Sequence, residues 1–132
     1  EERNYADPVL AELKHKLVEG RMHVLNSIAF VKCQSTDYLD LAGRRLVDAA
    51  AAVFIGHLLL QQAAGPVGTP GPQAILSEAK LTALRQRKQR VARRFIDVEM
   101  AKVRLNAELI ATGDRTPLEE YGLIAGPVPA KD

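Results

Sequence analysis

The chain is 132 residues long with a formal charge of +2 at neutral pH, enough for one compact domain that buries well over half of its unfolded surface. Apolar residues make up 47% and aromatics only 5%, with no Trp, which favours Leu/Ala/Val helix packing over an aromatic-rich sandwich or a surface for stacking nucleobases. A single cysteine, Cys33, excludes an internal disulfide, and a reducing cytoplasm is the simpler expectation. The text opens EERNYADP, without Met and without a basic-then-apolar leader. It nowhere reaches the roughly 18 consecutive apolar residues of a membrane span. A soluble chain is expected, either free-standing or a segment of a longer protein.

The first helix is predicted to start at Asp7, whose side chain can accept from orphan amides of the first turn, with Pro8 at the first helical position. Leu10, Leu13, Leu17, Gly20, Val24, Ile28 and Val31 trace an apolar seam as far as Cys33. A glycine in that seam costs about 1 kcal/mol of helix stability relative to Ala, so a close neighbour is expected over Gly20. Cys33, with no histidine near it in sequence, reads as a packing residue. QST, residues 34–36, is the only break before the next helix, and so short a connection makes the two helices antiparallel neighbours, capped by Ser35 or Thr36.

The second helix, residues 36–64, organises the rest. Leu39, Ala42, Leu46, Ala49, Val53, Gly56 and Leu60 form its seam. Between residues 49 and 60 the flanks also become apolar, so a second face carrying Ala52, Ile55 and Leu59 needs a partner, either a third helix or another subunit. Asp40, Arg44 and Asp48 form an i, i+4 ladder on the opposite, wet side. GPVGTPGP follows: Gly65 suits a left-handed helix end, and Pro66, Pro70 and Pro72 make a crossover loop without the spacing of a phosphate cradle.

A third helix is expected over residues 73–112, longer than its neighbours and therefore overhanging, bent or broken. Leu76, Ala79 and Leu84 begin one stripe, while Val91, Phe95, Val98, Leu105 and Leu109 form another. Between them RQRKQR, residues 85–90, has little to bury, so projection or irregularity is predicted there. Thr116, Pro117 and Glu119 spell a capping box for a short helix stopped by Gly122. The Pro/Gly tail should lie over the bundle through Leu123 and Ile124, making residues 1–132 a single domain with 113–132 packed on it. The expected fold is therefore all-α: an antiparallel bundle of three long helices plus a short C-terminal helix.

The sharpest polar feature is a run of six cations in ten residues, Arg85, Arg87, Lys88, Arg90, Arg93 and Arg94. Arg85, Arg87, Lys88, Arg90 and Arg94 are candidates for binding phosphates of nucleic acid, anionic lipid or a nucleotide-bearing ligand. The alternative is a solvated face paired with Asp97, Glu12, Glu19 or Asp40. No aromatic or glycine is interleaved with these cations, which argues against single-strand recognition. Glu12, His15, Glu19 and His23 share helical spacing, but the E-x-x-H unit of a di-iron bundle occurs once and off the seam, so a wet surface row is expected. His57 lies in the most apolar turn and is expected to be buried, neutral and bonded to a backbone carbonyl. The sequence contains no nucleophile elbow, dinucleotide fingerprint or distinctive carboxylate pair.

RRLVDAAAAVFIGHLLLQQA, residues 44–63, followed by SEAKLTALRQRKQRVARRF, residues 77–95, resembles the helical extension at the C-terminal side of larger bacterial and mitochondrial acyl-CoA dehydrogenases. There a helix with an Arg-Leu-x-Asp-Ala-Ala core precedes one that opens with Glu and Lys and closes with paired arginines. The resemblance implies a parent flavoprotein that oxidises an acyl-CoA thioester at its alpha and beta carbons, with FAD taking hydride and a carboxylate taking the proton. The catalytic and FAD-binding segments of that family have no counterpart in this chain, so no catalytic, cofactor or metal residue is carried over. It implies an accessory or oligomerising domain that packs on the dehydrogenase core or on another subunit. The competing classes are a free-standing, self-associating helical adaptor and, third, a nucleic-acid binder.

Overall fold

The computed structural model describes residues 5–65 and 78–126. Leu76 and the prolines at 66, 70 and 72 lie outside those residues, as does the end of the tail. The helices are α1 (Pro8–Lys32), α2 (Thr36–Ala64), α3 (Glu78–Ala111), α4 (Thr116–Glu119) and α5 (Tyr121–Ala125). The three long helices pack against one another in every pairing. The Gln34–Ser35 turn sets α2 antiparallel to α1, and α3 returns alongside α1. This is the all-α bundle expected from the sequence.

Local chemistry explains the first two helices. Asp7 Oδ1 accepts from Val9 N at 2.9 Å and Pro8 opens α1; Ser35 Oγ accepts from Tyr38 N at 3.3 Å to cap α2. Leu10, Leu13, Leu17, Gly20, Val24 and Val31 are buried along α1, joined by Ser27, while Ile28 is half-buried. On α2 the buried set is Tyr38, Ala42, Ala49, Ala52, Val53, Gly56, Leu60 and Ala63. Gly65 ends α2 in an extended conformation, φ −74° and ψ 167°, and not in the left-handed one expected. Cys33 is exposed at the end of α1, where the chain turns away from the core, so its expected packing role is not met.

The glycines in the seams mark places where a neighbouring helix's side chain fills the space of the missing Cβ. Met100 Sδ of α3 occupies the place a Cβ of Gly20 would need, with Val53 of α2 also adjacent. A Cβ on Gly56 would lie 2.5 Å from Leu17 Cδ2 and 3.6 Å from Ile96. The close neighbour expected over Gly20 is thus Met100, and Gly56 does the same service for Leu17.

The third helix departs from expectation in its buried face. Ala92, Ile96, Met100, Val103 and Ile110 face the core, whereas Val91 (49% exposed), Val98 (38%), Leu105 (54%) and Leu109 (42%) look outward. Phe95 is half-buried at the edge. The buried line is displaced by one residue from the stripe read in the sequence, a rotation of about 100°. No break interrupts α3. It projects instead: Gln89 Nε2 donates to Asp7 Oδ2 at 3.0 Å, level with the start of α1, and nothing on α3 before Ala92 is buried. The overhang is on the order of 15 Å.

A smaller core closes the opposite end. Tyr38 is 3% exposed and stacks edge-on against Phe30, ring centroids 6.3 Å apart, while its hydroxyl donates to the Ile110 carbonyl at 2.6 Å. Leu39, placed in the seam by the sequence reading, is 47% exposed. In the turn that follows α3, Thr116 is the first residue of α4 and not its cap; the cap position is Arg115, without a side-chain cap bond, while Asp114 accepts from Thr116 N at 2.9 Å and from Thr116 Oγ1. Arg115 donates to Ser35 Oγ at 2.8 Å. Gly122 lies inside α5, which ends at Gly126 with φ +74°. Leu123 and Ile124 do not cover the bundle; they are 84% and 62% exposed.

Candidate docking surface

Several charged side chains outside the five anion-binding candidates form ordinary helix-surface pairs. Lys16 Nζ reaches Asp97 Oδ1 at 2.7 Å and Glu12 Oε1 at 2.9 Å, tying α1 to α3. Arg93 meets Asp97 at 3.7 Å, and Arg44 meets Asp48 at 2.9 Å. The hydrogen bond and charge of Lys16 hold the Glu12 carboxyl below its ordinary range, while hydrogen bonds to Asp97 and then Glu12 raise the Lys16 ammonium. The Glu12 contribution to stability is present above its unfolded pKa and disappears as pH falls through the lowered folded value. The Lys16 contribution is complete below its unfolded pKa and disappears as pH rises through the raised folded value. Urea titrations of Lys16→Met across this range should show a flatter pH dependence at both ends and an effect far smaller than any core truncation, because these groups are well exposed.

Among the described residues, no three His, Cys, Asp or Glu side chains are grouped to hold a metal. His15 and Glu19 are exposed and His23 half-buried; His57 is also half-buried and not enclosed as expected.

The apolar face is the dominant unassigned feature. Of the three residues expected there, Ala52 is 8% exposed within the chain's own core, Leu59 is half-buried against that core, and Ile55 is 43% exposed. The uncovered strip on α2 consists instead of Val47 and Phe54, each 65% exposed, with Ile55 and Leu58, each 43%. Helical spacing puts these four on one outward flank. Ile55 and Phe95 line the same groove between α2 and α3, with Ala51, Ala52 and Val103. The groove's α3 wall also carries Glu99, Lys102 and Asn106, and the exposed stripe of Val91, Val98, Leu105 and Leu109 does not line it. By length and mean hydropathy, 1.4 at its most apolar, α2 could cross a bilayer. Its seam nevertheless packs on both α1 and α3, as the core helix of a bundle does.

Of the five candidate anion-binding residues, Arg87, Arg90 and Arg94 line one shallow hollow with Ala83, Gln86, Val91 and Phe95. Arg85 is exposed and Lys88 half-buried outside that hollow. None of the five makes an ion pair among the described residues.

The fold is a three-helix bundle whose core packs Leu, Ile, Val and Met against seam glycines and alanines, with apolar strips left outside it. The family model described as acyl-CoA dehydrogenase C terminal matches residues 2–67, which take in α1 and α2, and the chain belongs to that family as a C-terminal helical domain. The half of the resemblance carried by residues 77–95 lies outside the matched stretch. No curated protein and no solved structure matches the chain.

Proposed function

We propose that this chain is the accessory C-terminal domain of an FAD-dependent acyl-CoA dehydrogenase, docked on the dehydrogenase core or a neighbouring subunit through the outer flank of α2. Family membership supports the parent class. The observation that carries the docking is the strip of Val47, Phe54, Ile55 and Leu58, left open by a bundle whose own core is already filled. Large contiguous apolar strips on a soluble surface mark interaction sites. In this reading FAD and the acyl-CoA thioester are held by the dehydrogenase core, where hydride passes to flavin. This chain contributes buried area and orientation, and no reacting group.

The test is co-purification of the chain with the dehydrogenase core encoded beside it, followed by titration of Phe54→Asp. Burying an aromatic anchor commonly accounts for 2 kcal/mol or more of an interface, so affinity should fall by roughly thirtyfold or more. Helicity of the isolated variant should be unchanged, since Phe54 is mostly exposed. Retained affinity, or a gene neighbourhood without any flavoprotein, overturns the reading.

A further inference from the structure

The outer face of α3 is a second apolar surface, and it is separable from the docking flank of α2. Val91, Val98 and Leu105 recur every seven residues on it, with Leu109 continuing the line. A stripe of that period seats another helix along its length. From residue 91 to 109 it extends about 27 Å. Its two ends carry opposite charge. Lys80, Arg85, Arg87, Lys88, Arg90, Arg93 and Arg94 crowd the first half of α3 with Glu78 as the only acid, whereas the second half sets Asp97, Glu99 and Glu108 against Lys102 and Arg104, and Asp114, Glu119 and Glu120 follow with Arg115. Turning one such helix end for end over another places unlike charges together at both ends, with the apolar stripes in between. A parallel arrangement places like charges together.

We propose that a second copy of this chain packs on the outer face of α3 in antiparallel orientation, so that Arg90 and Arg94 of one copy meet Glu108 and Asp114 of the other across a shared stripe of Val98 and Leu105. The two-fold axis crosses α3 near residue 100, midway along the stripe. At that register Arg94 lies within a turn of Glu108 of the partner subunit, and Arg90 lies beside the Asp114 turn. The arginines qualify because no acid of their own chain pairs with them among the described residues, and Glu108 has only a loose 3.8 Å contact with Arg104. A single helix pair buries less than the roughly 1,200 Å² of a standard interface. The dimer is accordingly a weak one, and it is sensitive to salt.

Sedimentation equilibrium of the 132-residue chain across the micromolar range tests this. The wild type should dimerise, and more weakly as salt rises. Leu105→Asp should abolish dimerisation, with circular dichroism unchanged, because Leu105 is 54% exposed in the monomer. Arg94→Glu should weaken it roughly tenfold, and Arg94→Glu with Glu108→Arg should restore much of that loss. Phe54→Asp, which tests the α2 flank, should leave this dimer intact, so the two surfaces fail separately. A monomer at all concentrations, or a dimer indifferent to Leu105→Asp, overturns the proposal. So does a monomer that instead binds phosphatidylglycerol vesicles or duplex DNA through the same arginines.

Discussion

Leu17→Ala is expected to lower unfolding stability by about 2–5 kcal/mol, read as a shift in urea midpoint with unchanged slope. Leu17 is fully buried at the crossing of α1 and α2, and its Cδ2 occupies the notch left by Gly56, beside Ile96 of α3. Removing it opens a void bounded by three helices that cannot close without shifting the whole crossing. Gly56→Ala alone adds a methyl where Leu17 already sits, so the gain of about 1 kcal/mol in helix propensity is offset by a forced rotamer change at Leu17. In the double variant the new methyl enters the vacated space. Gly56→Ala should therefore be more favourable in the Leu17→Ala background than in the wild type, a coupling expected between residues in contact. Strict additivity of the two changes contradicts the notch.

Tyr38→Ala is the second large expectation, a loss of about 3–5 kcal/mol by analogy with other buried aromatic truncations. The side chain supplies three things to the end of the bundle: volume in the cluster with Val31, Ala42 and Ile110, an edge contact with Phe30, and a hydrogen bond to the Ile110 carbonyl. That carbonyl lies in the last turn of α3, where backbone acceptors have no partner within the helix, and it shares its lone pairs between the Tyr38 hydroxyl and Gly113 N, which donates at 3.2 Å. Tyr38→Phe isolates the third contribution and should cost about 1–2 kcal/mol. Hydrogen exchange should place the opening in the last turn of α3 and the first turn of α2. Either loss consumes a large part of the roughly 5–15 kcal/mol that holds an ordinary domain together.

The starts of α1 and α2 were legible because their signals are local. Asp7, Pro8 and Ser35 act on amides two or three residues away, so a linear text displays them. The packing face of α3 was not legible. Its core positions include Ala92 and Met100, and the adjacent line carries Val91, Val98 and Leu105, which are equally apolar. Periodicity detects either line; only the facing notch of Gly20, filled by Met100, selects between them. Tyr38 displaced Leu39 from the seam for a comparable reason: its hydroxyl has a carbonyl waiting 72 residues away. The bridge from Lys16 to Asp97 spans 81 residues and leaves no mark in spacing. The apolar surplus of residues 49–60 was visible in the text, but locating the uncovered strip at Phe54, Ile55 and Leu58, and extending it back to Val47, required knowing how far α2 is rolled against its neighbours.

The glycine notches also set the girth of the molecule. Where α1 meets α3 at Gly20 and α2 meets α1 at Gly56, Met100 and Leu17 sit in the space a Cβ would take, so the helices pack more closely there than larger seam residues would let them. Three slender cylinders held that tightly have a narrow waist and a high ratio of perimeter to interior, so residues that a thicker bundle would swallow are forced to its rim. Widening the waist with larger residues at positions 20 and 56 would not bring Phe54 or Leu105 indoors, since no fourth long helix is described to roof them. The thinness that makes the crossings tight is the same property that leaves the molecule in need of company.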